Sequence, residues 1–174
     1  MNRKEILQQC IWETAKMKVH SPFFGKEVEV WLTAHYKALR FIEEDIISPT
    51  MVAAVNDFLE MSTTELPLLQ RLIYQHCLDC CADTSYGVEV LEGETETQAN
   101  LRVFAVKNEQ DAFALANLSK VYIEDDALEK RKHRYVRLSF YPPWEQEHGL
   151  ELILQNGKLL DYCGEGGTWL TQFE

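Results

Sequence analysis

Residues 144–149 read WEQEHG, and three of them have side chains suited to chemistry: Glu145, Glu147 and His148. Two carboxylates and an imidazole this close suit general acid–base work or a divalent ion. The pattern has no nucleophile and lacks the two-histidine spacing of helical zinc sites, so its specificity is weak. Two other uses compete. Glu147 or His148 can hydrogen-bond the backbone of a tight turn, or Trp144, Glu145, Glu147 and His148 can form a surface for a protein partner. The structural use leads, the partner surface follows, and a catalytic or metal role comes last. No catalytic residue and no metal ligand is assigned.

A second group is HCLDCC, residues 76–81, in which Cys77, Cys80 and Cys81 fall at i, i+3 and i+4 and share one helix face. Zinc takes four N/S ligands, usually from two separated pairs, and no second pair follows. Only the distant Cys10, Cys163 or a histidine could complete such a site. Buried thiols acting as small hydrophobes are the expected use. The basic run EKRKHRYVR, residues 129–137, suits phosphate or an acidic partner but reads first as a solvated rim. GEGG at 164–167 lacks the strand–loop–helix setting of a phosphate loop, and there is no GxSxG nucleophile turn. No cofactor is expected.

The elements that must position these residues follow from spacing. Asn2 with Glu5 is an N-cap pair, and Ile6, Leu7, Cys10, Ile11 and Thr14 then follow helical spacing, which predicts a helix over residues 3–18. HSPFFG breaks it, and Val28, Val30 and Leu32 alternate as in a strand. Residues 36–47 fit a second strand and a short helix equally. Ser48-Pro49 starts a helix carrying Val52, Val55, Phe58 and Leu59 on one stripe. Ser62 with Glu65 reads as a capping box for the next helix, whose face holds Leu66, Leu69, Ile73, Cys77 and Cys80. Pro67 falls in its first turn, where a missing N–H costs little.

After about residue 84 the period becomes two. Tyr86, Val88 and Val90 alternate, as do Leu101 and Val103, around an acidic, flexible EGETETQAN. A short helix is predicted from Asn108, then a strand at KVYIED and a charged loop at DDALEKRKH. Val136, Leu138 and Phe140 face away from Tyr135, Arg137 and Ser139, and the strand ends at Pro142-Pro143. Trp144 is expected to cover the end of the core, and Gly149 to supply positive φ before Leu150, Leu152 and Leu154 resume the alternation. Asn156-Gly157 predicts a type I′ hairpin turn returning through Lys158 to Tyr162. The fold class is therefore α+β, a helical N-terminal half packed on a C-terminal antiparallel sheet. The chain reads as one domain, residues 1–174. It divides into a helical N-terminal extension (1–20), a strand plus helices (21–83) and an antiparallel sheet (84–174).

The 174 residues carry 28 acidic and 17 basic side chains, a formal charge of −11. That balance opposes nucleic-acid or anionic-membrane binding and suits solubility or a basic protein partner. No apolar run reaches membrane-span length, and MNRKEILQQC has no apolar signal region, so a cytoplasmic location with reduced thiols is expected. Candidate acidic contacts are Glu43, Glu44 and Asp45, the stretch Glu92 to Glu96, and Glu124 to Asp126. Trp31, Tyr36 and Trp169 are candidate anchors.

SPFFGKEVEVWL, ISPTMVAAVNDFL and VRLSFYPPWEQEHGLELILQNGKLLDYCGE together resemble a group of small uncharacterised bacterial domains, over residues 21–165. The specific element is Trp144-x-x-Glu147-His148-Gly149. This chain departs from that group in Pro142-Pro143 and in its cysteine-rich helix. Several such domains look like immunity proteins of polymorphic toxin systems. The resemblance thus implies a non-enzymatic domain that inhibits a basic toxin by occlusion, with no catalytic residues to carry over. The alternative is an enzyme or metal protein built on Glu145, Glu147 and His148.

Overall fold

Asn2 opens the first helix as the sequence predicts: its Oδ1 accepts from Glu5 N at 3.1 Å, and Glu5 Oε2 accepts from Asn2 N at 2.7 Å. The computed structural model describes residues 1–11, 14–32, 47–124, 132–165 and 173. Tyr36, Glu43, Glu44, Asp45 and the ambiguous run up to residue 46 lie outside the described residues. So do Asp125, Asp126, residues 129–131, Gly166, Gly167 and Trp169, and the Glu124 side chain.

The first helix, α1 (Arg3–Gln9), is shorter than its spacing predicts. Cys10 is already extended, Ala15 turns at φ 52°, and Lys16–Ser21 is a strand, β1. Met17, Val19 and Ser21 are buried while Lys18 and His20 are exposed, a period of two that the sheet selects over the helical reading of Ile11 and Thr14. HSPFFG is then the bend of a hairpin leading into β2 (Lys26–Leu32), where Gly25 has φ 62° and donates to Ser21 O at 2.8 Å.

Ser48 caps α2 (Pro49–Leu59) by accepting from Met51 N at 2.9 Å, and the buried stripe is Met51, Ala54, Val55 and Phe58. Ser62 caps a single 3-10 turn, accepting from Thr64 N rather than pairing with Glu65. Glu65 instead accepts from Leu159 N at 3.3 Å, so its carboxylate serves a distant strand. The long α3 (Leu66–Asp83) buries Leu69, Ile73, His76, Cys77, Cys80 and Cys81.

The expectation of strands from the alternations at residues 86–90 and 101–103 is overturned: 86–90 form neither helix nor strand. Residues 96–103 form α4 (Glu96–Val103), opened by a complete capping box between Thr95 and Gln98. Asn108 caps α5 (Glu109–Leu115) as predicted. Four strands complete the sheet: β3 (Leu118–Glu124), β4 (Tyr135–Phe140), β5 (Leu150–Gln155) and β6 (Lys158–Gly164).

The protein is α+β, with the six strands in the order β1-β2-β3-β4-β5-β6. Its sheet is mixed, not purely antiparallel, and it is not confined to the C-terminal half. The N-terminal hairpin joins through a parallel pair between β2 and β3, and the other pairs are antiparallel. One face carries Val28, Val30, Val121, Leu138, Phe140 and Leu152 against the helices. On the other face Tyr135 and Ile153 form a smaller cluster with Leu160, Tyr162 and Phe173. Asn156 (φ 50°) and Gly157 (φ 80°) make the predicted turn. Arg134 clamps this hairpin to α2, donating to both Asp57 oxygens at 2.8 and 3.0 Å, a bidentate geometry. Among the described residues no helix is long and apolar enough to cross a membrane.

Gly149 has φ 70°, and a Cβ there would stand 2.7 Å from Phe140 O. Gly87 has φ 67° with open space around it. Gly149→Ala should therefore cost about 2–3 kcal/mol, from strain plus a backbone clash, against about 1 kcal/mol for Gly87→Ala. Urea unfolding of both variants checks the order, and equal losses would contradict the clash.

Candidate functional site

Trp144 is 2 % exposed and closes the end of the core, as its position after the paired prolines predicts. An indole N–H only donates. Here it donates to His76 Nδ1 at 3.1 Å, from a turn to a helix 68 residues away in sequence. The Trp144 carbonyl accepts from the Tyr86 hydroxyl at 2.7 Å. Phe104, which follows α4, packs edge-on between them, its ring centroid 4.9 Å from Tyr86 and 6.4 Å from Trp144. Tyr86 is held as a donor, its ionisation pushed up to about 12 by burial.

The turn behind Trp144 is tied by Glu145, not by Glu147 or His148. Its Oε1 accepts from Glu147 N at 3.1 Å and His148 N at 2.9 Å, while Glu145 N donates to Pro142 O. The side chains of Glu147 and His148 point to solvent, 85 % and 55 % exposed. His148 Nδ1 lies 3.6 Å from Glu145 and its Nε2 lies 4.0 Å from Glu147. The three groups are adjacent, but of the three only Glu145 lines the cleft beneath the turn. The carboxylate best placed to act as a base is already an acceptor for two backbone amides.

Beneath the turn lies a cleft of about 460 Å³ between α3, Glu145 and the end of β6. Asp79, Asp83, Glu145 and Glu165 line it with His76, Cys80 and Cys163, and no lysine or arginine is among the lining residues described. The sequence reading missed this constellation, because the singled-out turn and the cysteine-rich helix meet only in the fold. The i, i+4 pair His76 and Cys80 was the available local signal. Cys80 Sγ sits 3.7 Å from His76 Nε2.

The chemistry of this pair is narrow. Trp144 requires a lone pair on His76 Nδ1, so the neutral ring carries its proton on Nε2. A metal at Nε2 would force a proton onto Nδ1, facing the indole N–H, and the two donors would oppose each other. The residues therefore do not fit a metal through His76, and among the described residues no group of three or more His, Cys, Asp or Glu is arranged to hold an ion. Burial also silences the thiols. It pushes Cys80 and Cys163 up to about 12, Cys10 to about 11, and Cys77 and Cys81 upward too. Cys77, Cys80 and Cys81 are buried and free, as their helical spacing implies.

Of the other candidates, Trp31 is half-buried on the second face of the sheet, with Lys16 Nζ 4.0 Å and Lys120 Nζ 5.0 Å from its ring. Its Nε1 donates to Glu29. Glu92 and Glu96 are exposed near the start of α4, and Glu94 is paired with Arg102 at 2.9 Å. The basic run enters β4 at Arg134, whose guanidinium is committed to Asp57.

Trp144→Ala should cost about 3–4 kcal/mol, the usual range for deleting a buried large aromatic. Trp144→Phe should cost about 1–2 kcal/mol, mostly from leaving His76 Nδ1 without a donor. A denaturant titration separates the two, and a loss below 1 kcal/mol for Trp144→Ala would show that the ring is not a core element. At neutral pH, alkylation of Cys80 and Cys163 should run about a thousandfold slower than for an ordinary thiol, since so little thiolate is present. Peptide mapping after timed iodoacetamide treatment reads this.

Residues 3–168 match the model of one family, described as a domain of unknown function (DUF6985). No curated protein and no solved structure matches the chain.

Proposed function

The chain belongs to the DUF6985 family, and we propose that it is a non-enzymatic protein-binding domain that recognises a basic partner. The observation that carries this reading is the cleft: four carboxylates and, among the described lining residues, no lysine or arginine, beside a turn that Trp144 and Glu145 hold fixed. A basic side chain entering there meets preorganised negative charge, and Glu147 and His148 stand at the outer surface beside it. Such complementarity mainly speeds encounter and fixes register, while buried anchors set the off-rate.

The finer form of the proposal is an immunity-type inhibitor, which lays its acidic face over the substrate groove of a cognate toxin. The charge of −11 and the resemblance of the Trp144-to-Gly149 turn support it. It places the protein in the cytoplasm, with its thiols reduced, no cofactor, and neither nucleic acid nor membrane as partner. An acid–base or metal role for Glu145, Glu147 and His148 is weakened by the use of Glu145 as a backbone acceptor.

Co-expression with the product of the adjacent gene tests the reading. The expected result is rescue of growth and a complex whose association rate falls as salt rises. Asp79→Lys with Asp83→Lys should slow association about tenfold at low salt and leave the fold intact by circular dichroism. A pull-down without any partner, combined with turnover that is lost on changing Glu147 and His148, would replace binding by catalysis.

A further inference from the structure

Protonation is the one change that the Trp144–His76 contact cannot absorb. Trp144 Nε1 has a proton and no lone pair, and His76 Nδ1 receives it at 3.1 Å. Both side chains are buried, at 2 % and 7 % exposure, with His76 reaching solvent only where it lines the cleft, so water has little access to the indole to replace a lost partner. Adding a proton to His76 puts one on Nδ1 as well as Nε2, and two N–H groups then face each other. The turn that would move is the one carrying Glu145, whose carboxylate lines the cleft and ties Glu147 and His148.

We infer that His76 and Trp144 form a proton-sensitive latch: with His76 neutral the Trp144–Gly149 turn is docked and the acidic cleft is shaped, and with His76 protonated the indole is released and the cleft is remodelled. The release of a bound partner on acidification rests on the binding reading above; the latch itself does not.

The groups around His76 define when it works. Asp79 and Cys80 face it from its own helix, Glu145 from the turn, and Glu165 and Cys163 from the end of β6. The three carboxylates favour the protonated ring, but desolvation outweighs them and holds His76 below its ordinary range. The sign follows: above the ordinary histidine value of about 6.5 both folded and unfolded chains hold a neutral ring, and the latch is closed. As pH falls through that value the unfolded chain takes up the proton first, so stability declines toward the lower folded-state value. The carboxylates oppose part of that lowering.

The test is an NMR titration of the whole chain from pH 8 to pH 4.5, without partner. At pH 8 the His76 ring should show a bare Nδ1 and a protonated Nε2. On acidification the Trp144 indole N–H should lose its exchange protection in the same transition in which His76 titrates. Trp144→Phe, which removes the opposing donor and keeps a ring in place, should raise the His76 midpoint by about one pH unit. His76→Asn keeps an acceptor near the Nδ1 position without a titrating group, and it should abolish the acid step in indole exchange. A proton on Nδ1 at pH 8 would overturn the latch. So would a His76 titration that leaves Trp144 protected, or a midpoint unmoved in Trp144→Phe. If a partner is found, its dissociation should accelerate in mild acid for the parent chain but not for His76→Asn. If none is found, the binding reading fails while the titration still decides the latch.

Discussion

A buried indole N–H must find an acceptor, and in this fold that requirement joins three parts of the chain that sequence keeps far apart. Trp144 stands where β4 has ended and β5 has not begun, at the open end of the main core. His76 supplies the lone pair from α3, Tyr86 takes the carbonyl, and Phe104 packs against the ring from the end of α4. An unmade bond at such depth would cost the full desolvation of the N–H. The position of α3 relative to the β4–β5 connection is thus fixed by a polar contact and filled in by apolar ones.

That contact helps to hold in place a turn rich in ionisable groups. With its aromatic residue pinned, the next residue, Glu145, is held where its oxygen meets two successive amides. Burial disfavours the charged His76 ring and the indole occupies its Nδ1, which leaves Nε2 as a hydrogen-bond donor. The thiols beside it are shielded by the same burial, and the neighbouring carboxylates oppose their ionisation further.

What the sequence made legible was local. Asn2 with Glu5, Ser48 before Pro49, Asn108, and Asn156-Gly157 each specify a cap or a turn within a few residues, and each forms. Thr95 with Gln98 is the same kind of signal. The alternation of Leu101 and Val103 masked it, although three residues on a helix flank can mimic a strand. At the N-terminus, Ile11 and Thr14 extended a helical pattern that the alternation of Met17 and Val19 ended. The choice between the two depended on β2 as a pairing partner. The parallel registration of Val30 with Val121 and the bond from Trp144 to His76 have no local signature. The candidate turn could therefore be located in the sequence, whereas the cleft beneath it could not.

The distribution of positive charge completes the physical picture. Many of the basic side chains are engaged within the fold. Arg134 is held by Asp57, Arg137 by Glu151 at 2.7 Å, Arg102 by Glu94, and Lys26 reaches Asn117 and the Leu118 carbonyl. Lys16 and Lys120 approach the two sides of a cross-strand row that places Trp31 beside Tyr122, with Arg137 4.7 Å from the Tyr122 ring. Apart from Arg102, which ties α4 to the segment before it, these cations brace the hairpins and the second face of the sheet, where cation–π and bidentate contacts reward them. Asp79, Asp83, Glu145 and Glu165 gather instead around the cleft. Among the described residues, several arginines and lysines thus sit on the sheet, while four carboxylates gather at the cleft beside Trp144. The proposed basic partner would meet that acid as complementary charge from outside, whereas the proposed protonation of His76 would act from within, on the contact that holds the turn.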